Sequence, residues 1–132
     1  MNLLLDTHIL LWVAAGKLPK KVAELIAVDG DTVLFSTASI WEIVIKNGLG
    51  RPNFQIDVDA LYNGLLDSGY TEVPINSRQS IIIGTLPPIH KDPFDRILVA
   101  QAQYEKATLV TCDDILTKYP CSVIYIKPQS SV

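Results

Sequence analysis

Short apolar runs alternate along the chain with longer segments in which apolar residues recur every three or four positions. Runs such as Leu3-Leu4-Leu5 and Leu109-Val110 have the length and composition of strands that are buried on both faces. The longer segments have helical periodicity, and glycine, proline and aspartate separate them. The pattern predicts strands at residues 3–5, 32–35, 71–73, 108–110 and 123–126 and helices at residues 7–15, 19–26, 36–47, 58–67, 77–84, 93–105 and 115–118.

Strands that alternate with helices predict a mostly parallel sheet with helices on both faces. We therefore expect a three-layer α/β/α fold with four or five strands. One domain over residues 1–132 accounts for the length. A turn is expected at residues 29–31, and a polar tail follows the last strand.

The composition is apolar for a globular chain, with 48% hydrophobic residues and a mean hydropathy of +0.27. Either the strands are buried on both faces or apolar surface is kept for a partner, and both can hold. No apolar run reaches the length of a membrane span, and no basic run precedes Ile9–Ala15 as it would in a signal peptide. Cys112 and Cys121 lack metal-ligand spacing, which indicates two small buried residues and a reducing, cytoplasmic location.

The net charge of −3 and pI of about 5.2 do not indicate a nucleic-acid-binding protein. Phosphate contacts need local cations rather than a positive total, however. The basic residues are grouped, although a solvated surface is the usual explanation for such lysines. The groups are Lys17, Lys20 and Lys21; Lys46 and Arg51; and Lys91 and Arg96.

Four acidic residues, Asp6, Glu42, Asp95 and Asp113, lie at or just beyond predicted transitions from strand to helix. In a parallel sheet these positions can meet at one edge, where ligands bind. Two carboxylates ~4 Å apart repel by about 4 kcal/mol at an effective dielectric of ~20, so such a cluster is either partly protonated or binds divalent cations. Oxygen ligands without cysteines favour Mg²⁺ or Mn²⁺, and such a site most often serves phosphodiester chemistry.

Each acid also has an ordinary structural explanation. Asp6 could cap the helix that begins at Thr7. Ser39 and Glu42 have capping-box spacing, and Glu42 and Lys46 have the spacing of an exposed i,i+4 pair. The remaining candidates for capping or first-turn roles are Asp92, Asp95 and Asp113.

A set of sequence blocks supports a more specific interpretation. In chain order they are Leu3-Leu4-Leu5-Asp6-Thr7-His8 with Leu10-Leu11-Trp12; Ser36-Thr37-Ala38-Ser39-Ile40-Trp41-Glu42-Ile43 with Ile45-Lys46; Leu86-Pro87, His90 and Asp92-Pro93-Phe94-Asp95-Arg96 with Ala100-Gln101-Ala102; and Thr111-Cys112-Asp113. With these blocks in this order the sequence resembles the PIN-domain ribonucleases, and among them the VapC-type toxins of type II toxin–antitoxin pairs. The resemblance runs almost from end to end.

The resemblance implies roles for individual residues. It implies that Asp6, Glu42, Asp95 and Asp113 are the catalytic, metal-binding acids, and that Thr7, Ser39 and Thr111 are the hydroxyl residues that orient them. Asp92 is an additional acid, for which a helix cap is favoured over a hydrogen bond in the site. Arg96 is expected to contact substrate phosphate or a partner carboxylate, with a surface salt bridge as the alternative. His8 and His90 belong to the motifs but receive no role.

The resemblance further implies Mg²⁺- or Mn²⁺-dependent endonucleolytic hydrolysis of RNA that leaves a 5′-phosphate and a 3′-hydroxyl. It implies a homodimer and a small VapB-like antitoxin that covers an apolar groove. Candidates for that groove are Ile9, Leu11, Trp12 and Trp41, although large apolar residues at helical spacing more often belong to the core.

Other classes of protein fit less well. An aspartyl phosphatase of the haloacid dehalogenase type would have an aspartate two positions after Asp6, where His8 stands. A receiver domain needs a lysine at the end of a late strand, and Lys118 and Lys127 are poorly placed for it. A PIN nuclease of RNA processing without an antitoxin, and a non-catalytic PIN-like module that binds RNA or protein, both remain open.

Overall fold

The computed structural model describes residues 1–28 and 30–128. Within them the chain forms five strands: β1 Asn2–Leu5, β2 Thr32–Ser36, β3 Thr71–Val73, β4 Thr108–Thr111 and β5 Val123–Tyr125. The α-helices are α1 Thr7–Ala14, α2 Lys20–Ile26, α3 Thr37–Gly48, α4 Val58–Asp67, α5 Ser77–Ile83 and α6 Pro93–Tyr104, and a 3₁₀ helix spans Asp114–Lys118. The predicted elements are confirmed with nearly the predicted bounds. Asp29 of the predicted turn and the tail beyond residue 128 lie outside the described residues.

The five strands form one parallel sheet in the order β3-β2-β1-β4-β5. In the register, Leu4 of β1 pairs with Leu34 of β2 on one side and with Leu109 of β4 on the other. The chain runs outward from β1 to β3 and then crosses back to β4, so the strand order reverses between β1 and β4. A reversal of this kind opens a crevice at the carboxyl ends of the two strands.

Successive leucines of β1 point to opposite faces of the sheet and are all fully buried. Leu3 and Leu5 pack in a core with residues of α1 to α4, whereas Leu4 packs in a second core with residues of α6. Burial on both faces is the reason that the strands are continuous apolar runs in the sequence. The predicted three-layer α/β/α fold is confirmed.

The start of α3 differs from one of the two sequence interpretations. The Ser36 hydroxyl caps the helix by accepting the backbone N–H of Ala38 at 3.0 Å. Ser39 and Glu42 therefore lie inside the helix, and both are buried. The alternative of a Ser39–Glu42 capping box is wrong, because the helix begins too early for Ser39 to be its cap.

Helix α6 ends in a tight reversal into β4. The Ala107 N–H donates to the Ala102 carbonyl at 2.9 Å, and the Lys106 N–H donates to the Gln103 carbonyl at 3.3 Å. Lys106 adopts φ 53°, the left-handed conformation that glycine usually supplies after a helix.

Two expectations about apolar and sulfur-containing residues can be compared with the structure. Ile9 is fully buried in the core, so its place among the groove candidates is wrong; Leu11 and Trp12 are half-buried, and Trp41 is 58% exposed. Cys112 and Cys121 are free thiols, and both are only partly buried rather than buried as expected. None of the helices in the described part of the chain combines the length and apolar character that a membrane crossing requires.

Candidate active site

A cavity of about 240 Å³ opens at the carboxyl ends of β1 and β4, at the reversal of strand order. It brings together all four acids that the sequence predicts. Its lining residues are Asp6, Thr7, His8, Glu42, Lys46, His90, Asp92, Asp95, Cys112 and Asp113.

Asp6 follows β1 directly and uses its two carboxylate oxygens differently. Oδ1 caps α1 by accepting the Ile9 N–H at 3.0 Å, and Oδ2 accepts the hydroxyl of Thr111 from β4. The Thr111 oxygen also accepts the Asp113 N–H at 3.0 Å, so one hydroxyl connects two of the acids. Burial raises the pKa of Asp6, and the hydrogen bond from Thr111 opposes that rise.

Glu42 enters the cavity from the second turn of α3. Its Oε2 lies 3.1 Å from Lys46 Nζ, so the predicted i,i+4 pair is present, but Glu42 is only 9% exposed. Its Oε1 is buried and has no hydrogen-bond partner among the described residues. A buried carboxylate oxygen without a donor is costly, and a cation in the cavity would remove that cost.

Helices α1 and α3 are joined beneath the cavity by two of the predicted hydroxyl residues. The Thr7 hydroxyl donates to the Ser39 hydroxyl at 2.9 Å, and both side chains are buried. Since Asp6 precedes Thr7 and Glu42 lies one turn after Ser39, this bond fixes the relative positions of the two acids.

Asp95 and Asp113 share one partner, His90. The His90 Nε2 lies 3.0 Å from Asp95 Oδ2 and 3.3 Å from Asp113 Oδ2. One ligand atom from each of these three residues lies within 4.8 Å of the others, a spacing suitable for a metal ion. Asp113 also caps the 3₁₀ helix, because its Oδ1 accepts the Ile115 N–H at 3.0 Å.

The pKa of Asp95 in the cavity lies well above that of an ordinary aspartate. Burial raises its pKa to about 7, with the nearby Asp92 charge as the next cause. Glu42 and Asp6 raise the pKa further, and His90 opposes them. The cluster is therefore poorly neutralised by the protein alone, as expected for an acidic site that binds a cation.

Asp95 enters the cavity from the start of a helix rather than from the end of a strand. It follows no strand: it lies in the first turn of α6, after the irregular loop 84–92. Asp92 caps that helix by accepting the Phe94 N–H at 2.8 Å, as favoured from the sequence. The cap directs the start of α6, and with it Asp95, toward the ends of β1 and β4.

Arg96 holds the loop that precedes α6. Its guanidinium donates to the carbonyls of Pro87 and Ile83, each at 3.1 Å, and to the Tyr119 hydroxyl at 3.3 Å. The alternative of a surface salt bridge is wrong for the described residues, since backbone and phenol oxygens take the place of a carboxylate. A contact of Arg96 with substrate stays a prediction.

Three lining residues received no role from the sequence: His8, His90 and Cys112. His90 belongs to a motif of the resemblance and lies two residues before the Asp92-Pro93 helix start, but no periodicity indicates what it contacts. Cys112 lies between Thr111 and Asp113, and burial, followed by the Asp6 charge, raises its pKa to about 11. Its thiol is therefore protonated near neutral pH, which disfavours cysteine nucleophile chemistry.

The donor set fits a hard divalent cation. The cavity offers carboxylate oxygens from helices α3 and α6 and from the segments that follow β1 and β4, one of them buried without a partner. Mg²⁺ and Mn²⁺ prefer such oxygen ligands, whereas a structural zinc site would use cysteine and histidine. The two cysteines are not arranged for that purpose.

Comparison with known proteins agrees with the fold. The model of the PIN domain family matches residues 3–120. No curated protein matches the sequence significantly.

Among solved structures, a chain of VapBC2 from Rickettsia felis, in a complex with a fragment of promoter DNA, is 18% identical with a TM-score of 0.74, over 95% of this chain and 98% of that one. A chain of VapBC-1 from nontypeable Haemophilus influenzae is 20% identical with a TM-score of 0.67 and the same coverages. A chain of FitAcB from Neisseria gonorrhoeae is 17% identical with a TM-score of 0.58, over 92% and 95%. At these identities the likeness concerns the fold.

Proposed function

Because this chain belongs to the PIN domain family, whose members are generally nucleases, we propose that it is a metal-dependent endoribonuclease and the toxin of a type II toxin–antitoxin pair. The single observation that carries the proposal is the buried, unpartnered Oε1 of Glu42 in a cavity with four further carboxylates. A protein that only binds RNA or another protein would gain nothing from a buried carboxylate oxygen without a partner.

Asp6, Glu42, Asp95 and Asp113 would hold Mg²⁺ or Mn²⁺. When bound, the ion would make a water molecule nucleophilic at neutral pH and offset charge on the phosphate. The protein supplies position: Thr111 fixes Asp6 and the segment to Asp113, and the Thr7–Ser39 bond fixes α1 to α3.

A phosphate entering the cavity would meet a cation of the protein as well. Lys46 lines the cavity and its ammonium group is partly exposed, although it pairs with Glu42. Lys46 therefore provides a local positive charge for a phosphate, even though the net charge of the chain is negative. We expect the products to carry a 5′-phosphate and a 3′-hydroxyl.

We also infer two protein partners. The similar structures from R. felis and H. influenzae are VapBC complexes, which supports an antitoxin partner for this chain. The exposed parts of Leu11 and Trp12 on α1 are available to it. A second copy is proposed on α3, where an outward stripe of apolar residues borders an apolar groove near Phe94; the stripe consists of Trp41, Val44, Ile45 and Leu49.

We further propose the domain extent and the cellular location of the protein. Residues 1–132 are taken as one PIN domain, and the free thiols of Cys112 and Cys121 support a reducing, cytoplasmic location. A small open reading frame directly upstream of the gene would favour a toxin over an RNA-processing nuclease without an antitoxin.

The test is cleavage of a mixed bacterial RNA pool by the purified protein with Mg²⁺, Mn²⁺ or EDTA. Discrete, metal-dependent products are expected, and Asp6→Asn and Asp95→Asn should reduce their rate of formation by roughly 100-fold or more. Asparagine at position 6 preserves the cap of α1, and Asp95 caps no helix, so both variants should fold. Asp114→Asn is the matched control, because Asp114 is exposed and does not line the cavity.

Other outcomes would decide between the remaining classes. RNA binding without cleavage, unchanged in the two variants, would contradict the nuclease and support the binding module. Cleavage that survives both substitutions would mean that another site or a contaminant is responsible.

A further inference from the structure

His90 is the one lining residue that contacts two of the four acids at once. It belongs to the irregular loop 84–92, yet its backbone is held at both ends of the residue. Its N–H donates to the Tyr119 hydroxyl at 2.7 Å, and its carbonyl accepts from Arg96 at 3.4 Å. The ring therefore reaches Asp95 and Asp113 from an anchored main chain.

The distances alone allow two roles for the ring, as a third metal ligand or as a hydrogen-bond donor to the two carboxylates. A histidine that ligates a metal coordinates through an unprotonated nitrogen and almost always donates its other ring N–H to an acceptor. At His90 the other nitrogen, Nδ1, instead faces a donor, the Asp92 N–H, at 3.4 Å.

The contact with Asp92 identifies the acceptor nitrogen of the ring. An imidazole nitrogen that accepts a hydrogen bond carries no hydrogen, so Nδ1 is the acceptor and Nε2 is the donor. Nε2 is the atom that lies 3.0 Å from Asp95 and 3.3 Å from Asp113. It is a donor there, and it is not available as a ligand without breaking the contact with Asp92.

We propose that His90 is a positioning residue, whose Nε2–H holds the carboxylates of Asp95 and Asp113 together so that both can hold a cation. This role rests on the proposed metal-dependent function. Two neighbouring carboxylates repel, and a shared donor offsets part of that repulsion before the ion arrives. The ion then meets preformed ligands.

The test measures Mn²⁺ affinity by calorimetry for the wild type and for His90→Ala, His90→Gln and Lys91→Gln. His90→Ala should weaken Mn²⁺ binding by roughly 10- to 100-fold, the range seen when groups that orient metal ligands are removed. His90→Gln keeps an N–H near the position of Nε2 and should recover most of the affinity. Lys91→Gln, an exposed change in the same loop, should bind as the wild type does.

Pulsed electron paramagnetic resonance of the Mn²⁺-loaded proteins separates the two roles directly. A positioning residue predicts no coupling from a directly bound imidazole nitrogen in the wild type. Such a coupling, lost in His90→Gln, would overturn the proposal in favour of a ligand. Unchanged affinity in His90→Ala would also overturn it, provided that melting in EDTA shows a folded protein. Absence of Mn²⁺ binding by the wild type would overturn the proposed function and this role with it.

Discussion

The side chains of Asp6 and Asp113 each divide their two oxygens between a helix end and the cavity. In both residues Oδ1 caps the helix that follows, while Oδ2 accepts from Thr111 or faces His90. Capping and site formation are therefore compatible in one carboxylate. The cap fixes the side-chain torsions and thereby places the second oxygen.

The acidity of Asp95 predicts how the metal-free protein responds to pH. Its pKa is about 7 in the folded protein against 3.8 for an unperturbed aspartate, so between these values the folded state holds a proton that the unfolded chain has lost. This stabilisation is complete below about pH 4 and is lost as the pH rises through about 7. In EDTA the melting temperature of the wild type should fall by several degrees from about pH 5 to about pH 8.

Asp95→Asn should reduce this fall of the melting temperature with rising pH, because asparagine does not ionise. Part of the slope should remain, since burial raises the pKa of Asp6 as well. Asp114→Asn is again the control. A variant whose melting temperature falls as steeply as that of the wild type would show that another group is responsible.

At the scale of elements, the strands and most helices could be predicted because local pattern determines them. Leu3 to Leu5 are apolar because both faces of β1 are covered, and this is visible in the sequence. The loop 84–92 has no such pattern. Its path depends on a hydrogen bond that the His90 N–H donates to Tyr119 and on one that Arg96 donates to Pro87. Tyr119 and Arg96 lie outside the loop, so the position of His90 could not be predicted.

The end of α6 offers a test of the fold that is independent of function. Lys106 has φ 53°, and a left-handed conformation costs a non-glycine residue about 1 kcal/mol. Lys106→Gly should raise the free energy of unfolding by about 0.5–1 kcal/mol, or the melting temperature by roughly 2–4 °C.

Lys106→Ala is the matched control for that substitution. Alanine also removes the exposed lysine side chain but keeps the Cβ, and so the strain, and should change the melting temperature little. Equal stabilisation by alanine and glycine, measured by differential scanning calorimetry, would contradict this explanation.

At the scale of the whole molecule, the apolar surface on α3 explains part of the high hydrophobic content. Trp41 is 58% exposed and packs edge-to-face on Phe94 with the ring centroids 5.2 Å apart, at the border of the apolar groove. Of the two sequence interpretations of this content, buried strands and surface for a partner, both therefore have a structural counterpart. The sequence periodicity identifies the apolar positions of a helix. Only the packing of the helices decides which of those positions stay exposed.

Trp41→Ser should weaken the proposed self-association. Buried aromatic residues at interfaces typically contribute about 2 kcal/mol or more, so the dimer dissociation constant should rise roughly 30-fold. Sedimentation equilibrium measures it. Val28→Ser removes an exposed apolar residue outside the stripe and should leave the constant unchanged. A wild type that is monomeric at all concentrations tested would refute the dimer.

The bond between Thr111 and Asp6 joins residues that are 105 positions apart, and it has a consequence for synthesis. Strand β1 leaves the ribosome long before β4, its neighbour in the sheet. Until β4 emerges, Asp6 lacks Thr111, and the cluster lacks Asp113. Contacts over such separations form late in folding. The nascent chain therefore lacks a complete acidic cluster until β4 has emerged, and we expect a chain truncated before β4 not to cleave RNA.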